Sequence, residues 1–523
     1  MSLVKNFMTV GGATLSSRVL GFVRDVFMAN MLGSGPIADA FFVAFRLPNL
    51  FRRLFAEGAF SAAFIPLFSR SLAEGGKPCA RLLAEDILAV FLLALTLITA
   101  VAEIAAPWLV GVLAPGFLAD PDKFGAAEAM TRIMFPYLAC MSLTAMAAGM
   151  LQSFGRFAVA AFAPSLLNVI LVAALALIWW EKWAGTPLAA YTLSWAVFIS
   201  GIAQLIAVGG SLWWIGFPMS LKRPRYTHNV RRFITLGIPG IVSGGITQIN
   251  IVVGTIIASM QASAVSWLYF ADRIYQLPLG VIGVAIGVVL LPDLTRRVRT
   301  EGESDGIFHV QNRALEFAMA LTLPATVALI AIPYTIMRVL FERGAFTAVD
   351  TVATAEALIA FSAGLPAFVA IKVFQPSFYA REDTKTPTVQ GGISVAVNIV
   401  ASLALFPFIG HVGIAAATSL SAWVNAVMLV VVLIRRGHFV ADRLLYRRLA
   451  LLALASLMMG AALVLGASII DGPLHDRHFI VAGPWLIGLC GFGMIVYGIA
   501  AMATGAVDVR RYAGALLRRG KDS

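Results

Sequence analysis

Charge is scarce in this 523-residue chain: Asp, Glu, Lys and Arg make up 13% of it, against 60% hydrophobic residues. Soluble domains carry about 25% charged residues, so an ordinary water-facing surface is excluded. Acid is scarcer still, with 27 Asp plus Glu against 39 Lys plus Arg and a formal charge of +12. In a soluble protein that excess would suggest nucleic acid. Here the cations cluster in the short connections between apolar runs, which is a topology signal and not a nucleic-acid footprint. Cysteine is nearly missing: Cys79, Cys140 and Cys490 stand far apart without metal-ligand spacing, so no disulfide framework is implied. His475 and His478 have a ligand-like spacing but no further ligand near them, and a solvated exterior loop is the better reading. A phosphate-binding loop is missing too. Glu74-Gly75-Gly76-Lys77-Pro78 lacks the first Walker glycine and has proline where Ser or Thr belongs, which excludes ATP hydrolysis by that route. No enzyme, metal or cofactor is indicated.

What the chain does have is long apolar runs, and a mean hydropathy of +0.87. A hydrocarbon core of about 30 Å takes about 20 apolar residues to cross as a helix. The sequence predicts an all-α integral membrane protein with fourteen spans, from about 7–32 for the first to about 479–504 for the last. Turn signals separate them at Gly33-Ser34-Gly35-Pro36, Gly75-Gly76-Lys77-Pro78, Gly185-Thr186-Pro187 and Asp471-Gly472-Pro473. The first run holds Arg18, Arg24 and Asp25 and lacks a short hydrophobic core with a cleavage site, so it reads as a retained helix. Cations follow the even-numbered spans: Arg70, Lys77 and Arg81 after the second, Lys222, Arg223, Arg225, Arg231 and Arg232 after the sixth, Arg435 and Arg436 after the twelfth. The opposite connections are short or acidic, as at Asp120 and Asp122. Both termini of the multi-pass protein are expected in the cytoplasm.

An internal repeat runs at an offset of about 225–230 residues. Val112-Leu113 before Gly116 and Phe117 matches Val339-Leu340 before Gly344 and Phe346, and Pro136 and Asn168 match Pro366 and Asn398. Each copy holds six spans, an even number, so the copies keep the same orientation and a pseudo-two-fold axis is expected along the membrane normal. The expected organisation is a six-helix lobe over 1–220, a second over 221–440, and two added helices with a basic cytoplasmic tail over 441–523.

Arginines within apolar helices carry the chemistry. A guanidinium at the bilayer centre costs about 2.5–3.5 kcal/mol on insertion scales, so such residues face a cavity and mark a substrate path. Arg18 lies roughly 15 Å into its helix, near the midplane. Arg18, Arg24, Arg52 and Arg273 are the candidate substrate cations, joined by Ser17 and by Lys372 near Pro376. Their planar forks match phosphate oxygens and stay charged at physiological pH. Asp25, Asp39, Glu57, Asp272 and Arg53 are candidates for gating or for pairing the cavity charges. Arg18 and Arg24 lie about 120° apart around a helix, and Pro48 disturbs the register of Arg46, Arg52 and Arg53. At this stage the bland alternative stays open, that these ions merely pair with one another inside a structural bundle.

The segments Ser17-Arg18-Val19-Leu20-Gly21-Phe22-Val23-Arg24-Asp25, Ala38-Asp39-Ala40-Phe41, Arg46-Leu47-Pro48-Asn49-Leu50-Phe51-Arg52-Arg53, Ala56-Glu57-Gly58-Ala59-Phe60 and Phe341-Glu342-Arg343-Gly344-Ala345-Phe346 carry a family likeness. Through them the chain resembles, over essentially its whole length, the MurJ (MviN) family of lipid II flippases. That family sits within the superfamily of multidrug, oligosaccharidyl-lipid and polysaccharide exporters. The resemblance implies alternating-access transfer of undecaprenyl-pyrophosphate-linked disaccharide-pentapeptide, lipid II, from the inner to the outer leaflet for peptidoglycan synthesis. It implies Arg18, Arg24, Arg52 and Arg273 as cavity cations, Asp39 and Glu57 as the matching acids, and a groove for the polyprenyl tail on the two added helices. Membrane lipids and cell-wall synthesis proteins are the other expected partners. The membrane potential and a monovalent cation are both open as the drive. The competing readings are a flippase for another polyprenyl-linked oligosaccharide and a non-transporting partner of the cell-wall machinery. A cysteine placed in the Lys222 to Arg232 loop should label only from the cytoplasmic side and one beside Asp120 only from outside; external labelling of the former in intact cells would overturn the threading.

Overall fold

The computed structural model describes residues 3–53, 63–301, 305–474 and 479–506, and among these there is no β-strand. Glu57, His475 and His478 lie outside the described residues. The helices are α1 (Leu3–Leu32), α2 (Pro36–Arg52), α3 (Ile65–Ile104), α4 (Ala106–Leu113), α5 (Pro121–Met134), α6 (Tyr137–Ser153), α7 (Ala158–Trp180), α8 (Pro187–Trp214) and α9 (His228–Ala258). The second half of the chain supplies α10 (Ala264–Glu301), α11 (Asp305–Ala331), α12 (Pro333–Phe341), α13 (Ala348–Ser362), α14 (Leu365–Tyr379), α15 (Lys385–Ile409), α16 (His411–Arg435), α17 (Arg443–Leu474) and α18 (Phe479–Ala503).

Ten helical segments among the described residues are long and apolar enough to cross a membrane. α1, α2, α9 and α10 are among the helices that fall outside that set. The first carries Arg18, Arg24 and Asp25, and the second is only 17 residues long. Several expected spans are broken. The fourth divides into α5 and α6 beside Pro136, and the tenth into α13 and α14 at Gly364, just before Pro366, so the repeat-matched prolines lie at matched breaks. A proline removes a backbone donor and clashes with the preceding turn, which is why the helices restart there. At Gly76 the backbone leaves the helical region (φ 66°, ψ −169°), so α3 is two helices meeting at the expected turn. The turn expected at Asp471-Gly472-Pro473 is absent, because α17 continues to Leu474. A proline in the final turn forfeits one hydrogen bond without preventing the helix from reaching its end.

Packing divides the chain into two compact units. The first comprises Met1–Ser266 and Arg343–Thr347. In it α1 packs on α7, α7 and α6 on α8, α2 on α5, and α3 on α6 and α9. One end is filled by aromatic rings: Phe68 lies 5.8 Å from both Phe154 and Phe217, which are themselves 5.1 Å apart. Edge and tilted ring contacts of this kind hold helices together where lipid is as apolar as the interior and burial alone gives little drive.

The second unit comprises Trp267–Glu342 and Ala348–Ser523. Here α15 and α14 pack on α16, α11 on α14 and α17, and α17 on α18. Its core runs through Leu290, Leu315, Phe374, Phe378, Leu429 and Phe439. The Tyr497 hydroxyl donates to the Ala320 carbonyl at 2.7 Å and so ties α18 back to α11. Arg313 and Arg448 both engage Glu316, and Arg313 also reaches Asp442 at 2.6 Å, which joins the start of α17 to α11.

The turn between α14 and α15 is closed by Asp383. Its carboxylate accepts the Thr386 hydroxyl at 2.6 Å and the Thr386 amide at 2.9 Å, and pairs with Arg436 at the end of α16 at 2.6 Å. These donors, the Thr386 hydroxyl foremost, pull its pKa from 3.8 down to about 2. A depressed carboxylate stabilises the fold fully above its unfolded value and loses that contribution as pH falls through the folded one. Melting temperature in detergent should therefore be insensitive to Asp383 above pH 5 and decline through it between about pH 4 and 2. Asp383→Asn should lack that component; an identical acid-side decline in the variant would remove the clasp from the account.

Candidate functional site

Arg24 is the most enclosed of the candidate cations, at 8% exposure, and lies against Asp25 at 3%. Its Nη2 and Nε donate to Asp25 Oδ1 at 2.7 and 3.0 Å, and its Nη1 donates to Asn168 Oδ1 on α7 at 2.9 Å. Asn168 spends its own Nδ2 on the Ser17 carbonyl at 2.9 Å. The helical period explains the placement: Ser17, Gly21 and Arg24 recur at i, i+4 and i+7 and face α7 together. Gly21 lies opposite Asn168, and a Cβ there would make ordinary contact with Asn168 Nδ2 at 3.6 Å. A buried guanidinium left alone would cost several kcal/mol, which the carboxylate and amide offset.

Arg18 has a different setting. It is exposed, beside exposed Leu15 and Val19, one helical turn and more from the buried face of Arg24. The angular separation expected around α1 is realised. Arg52 closes the last turn of α2, half-buried, with Nε donating to Asn49 Oδ1 at 3.4 Å. Tyr137, at the start of α6, is buried at 2% exposure. Arg46 donates to the Thr255 hydroxyl on α9, and Arg53 is exposed.

Asp39 is completely buried and engages no arginine of the cluster. It accepts Lys123 Nζ at 2.7 Å, the Ser263 amide at 3.0 Å, and the Ser266 amide and hydroxyl at 2.9 and 2.6 Å. The Ser266 donors lie in the first turn of α10 and Ser263 stands just before it, where unsatisfied amides and the helix dipole favour an anion. Lys123 sits 4.1 Å from the centre of the Phe117 ring.

In the second unit the Arg273 guanidinium lies 4.7 Å from the centre of the Tyr269 ring. Neighbouring Asp272 accepts from Gln276 one turn on. Lys372 is exposed, its stem running past Gly283. No group of three or more metal-ligating side chains occurs among the described residues.

Lys123, Asn168, Tyr137 and Thr255 are the residues that site reasoning from sequence passed over. Asn168 carried one signal, its match to Asn398 in the repeat. Lys123 carried a weak one, a lone cation one turn after the helix-capping Asp120, whose side chain accepts from the Lys123 amide.

Against known proteins, the family model described as lipid II flippase MurJ matches residues 28–482. A probable lipid II flippase MurJ of Rhizobium meliloti (strain 1021) is 47% identical over 511 residues, covering 97% of this chain and 95% of the relative. One from Rhizobium tropici is 48% identical over 512 residues, covering 97% and 96%. Among solved structures, a lipid II flippase MurJ in an inward closed conformation superposes with a TM-score of 0.77 at 25% identity, covering 94% of this chain and 97% of the other. An inward-facing multidrug resistance MATE family transporter superposes with a TM-score of 0.64 at 13% identity, covering 80% and 94%, which is a likeness of fold alone.

Removing one member of a buried pair should cost more than removing both. Lys123→Met strands the Asp39 carboxylate and should destabilise the protein by about 3–5 kcal/mol, whereas Asp39→Asn with Lys123→Met should recover much of that loss. Thermal melts of the single and double variants in detergent measure the difference; a double variant as unstable as Lys123→Met alone would refute the pairing.

Proposed function

Since this chain belongs to the lipid II flippase MurJ family, we propose that it moves lipid II across the bacterial cytoplasmic membrane, with its arginines holding the diphosphate of the headgroup. It is a transporter and not an enzyme. The observation that carries the site is Arg24, buried within helices otherwise apolar with its fork held by Asp25 and Asn168. Asp25 and Asn168 occupy the Arg24 fork. A diphosphate presents the same planar acceptors with more charge and competes for that fork, so the protein keeps a paired cation at rest and a phosphate site in use.

Arg18, Ser17, Arg273 and Lys372 complete the proposed headgroup contacts, with Asp39, Asp272, Arg53 and Glu57 as the associated ion-pairing positions. Counting α1, α2, α9 and α10 with the ten apolar segments brings the crossings to fourteen, in two repeated six-helix lobes over 1–220 and 221–440. The two further helices, α17 and α18, take the polyprenyl tail. The distribution of cations supports cytoplasmic termini. A potential acts on charge at about 2.3 kcal/mol per elementary charge per 100 mV, so it or a monovalent cation supplies the drive without ATP. Cell-wall synthesis proteins that consume the flipped product are the candidate protein partners.

Purified protein in vesicles holding lipid II tests this directly. Arg24→Ala, Arg52→Ala and Arg273→Ala should each lower transfer at least tenfold with normal insertion, and lysine at the same positions should restore it only in part. Undiminished transfer by all three alanine variants would overturn the diphosphate site, and transfer that needs another protein would overturn autonomous flipping.

A further inference from the structure

Several helices of this chain end in one hydrogen-bond pattern, in which the residue after the cap takes a left-handed conformation and two amides turn back onto the last carbonyls. At the ends of α6, α8 and α16 that residue is Gly155, Gly216 and Gly437, with φ between 70° and 73°. The amides of Gly216 and Phe217, for example, donate to the Trp213 and Leu212 carbonyls at 3.0 and 3.1 Å. Glycine adopts this conformation without a steric penalty. α7 closes in the same pattern, with the amides of Lys182 and Trp183 on the Trp179 and Ile178 carbonyls at 3.3 and 3.0 Å, yet it places a lysine there at φ 58°. α14 is another exception, with Glu382 at φ 61° just before the Asp383 clasp.

The helix dipole does not account for Lys182. A cation favours a helix C-terminus from within the last turn without strain, as Arg435 does in α16 ahead of Gly437. Nor do the neighbouring tryptophans call for it. α8 also finishes on a tryptophan pair, Trp213 and Trp214, exposed as indoles at a membrane interface are, and it keeps glycine after them. What α7 adds is a groove of about 500 Å³ lined by Trp179, Trp180, Lys182 and Ala184. That volume is in the range of small-ligand sites. Both indoles are exposed, at 67% and 74%. Lys182 is exposed beside them and pairs with no carboxylate among the described residues. The turn that carries it is braced: the Trp183 carbonyl accepts the Thr186 hydroxyl at 2.6 Å, and the Gly185 amide donates to the Met31 carbonyl at 2.7 Å. A groove on a braced turn costs a ligand little ordering.

We propose that this groove is an exterior binding site for a sugar that bears a carboxylate, and that its ligand is the disaccharide-peptide of the substrate once it has crossed. This rests on the transport reading above, which supplies the substrate and puts the end of α7 outside. A pyranose ring presents C–H bonds along one face, and the face of an indole is the negative side of its quadrupole, so sugar rings stack on exposed tryptophan. The Lys182 ammonium, a point charge on a flexible stem, meets a peptide carboxylate without demanding one orientation. The diphosphate takes no part, which separates this site from the arginines.

A soluble disaccharide-pentapeptide with neither diphosphate nor lipid is the probe, titrated calorimetrically into the full chain in detergent. Arg24→Ala should leave its affinity unchanged, because the probe has no phosphate for that fork. Trp179→Ala with Trp180→Ala should weaken binding at least tenfold. Lys182→Gly distinguishes a ligand contact from a structural one. Glycine relieves the left-handed backbone, so this variant should melt no lower than the parent while binding the probe severalfold more weakly, and a probe with its carboxylates amidated should bind parent and variant alike. Affinity untouched in both the tryptophan and lysine variants would leave only a membrane anchor and overturn the proposal. Lipid II added to the micelles should displace the probe; a probe that it does not displace would make the ligand free wall material and overturn the assignment to substrate. If the variants weaken probe binding while no form of the protein moves lipid II in vesicles, the transport reading fails and the sugar site stands.

Discussion

A charge taken into an apolar helix bundle must bring its counter-charge with it. The cost of stripping water from an isolated ion exceeds what any single contact in the protein returns. Arg24 meets this requirement with Asp25 and Asn168, and Asp39 meets it with Lys123 and the opening amides of α10. The positions of α1, α2, α5, α7 and the start of α10 follow from those pairings, because a shift of any one of these elements would strand an ion. The same constraint separates the candidate cations into kinds. Arg24 is committed to partners within the protein, whereas Arg18 is exposed and offers its fork outward.

Packing adds a second constraint. Lipid is as apolar as a leucine core, so helices in a membrane adhere through close approach and hydrogen bonds more than through burial. Glycine serves that purpose repeatedly here. Gly116 and Gly344 let turns rest directly on helix ends, where a Cβ would stand 2.1 Å from the nearest atom. Gly344 also has φ +56°, a conformation that a side chain disfavours, so steric and conformational reasons coincide at that residue.

These two constraints bear on how an amphiphile is carried. In the proposed reading the diphosphate needs fixed cations, and the pairing with Asp25 lets the buried Arg24 be one. The hydrocarbon tail needs no water-filled route, only an apolar surface continuous with the bilayer. The ties from α11 through Glu316, Asp442 and Tyr497 fasten α17 and α18, the proposed tail helices, to the rest of the second unit.

The sequence by itself determined the class of the molecule. Apolar length, the rarity of charge and the distribution of cations require a multi-pass helical membrane protein, because a helix alone satisfies its own backbone in hydrocarbon. It marked Arg24 and Asp39 as anomalous for the same reason, and the repeat marked the prolines beside the breaks after α5 and α13. Tertiary structure decided the partners. Periodicity places Ser17, Gly21 and Arg24 on one face but cannot name Asn168, 144 residues from Arg24, as what that face meets. An aspartate at position 39 reads as a gate or a counter-ion to arginine until packing brings Lys123 to it from α5. Local sequence sets which groups need satisfying, and only the folded arrangement sets which distant groups are near enough to satisfy them.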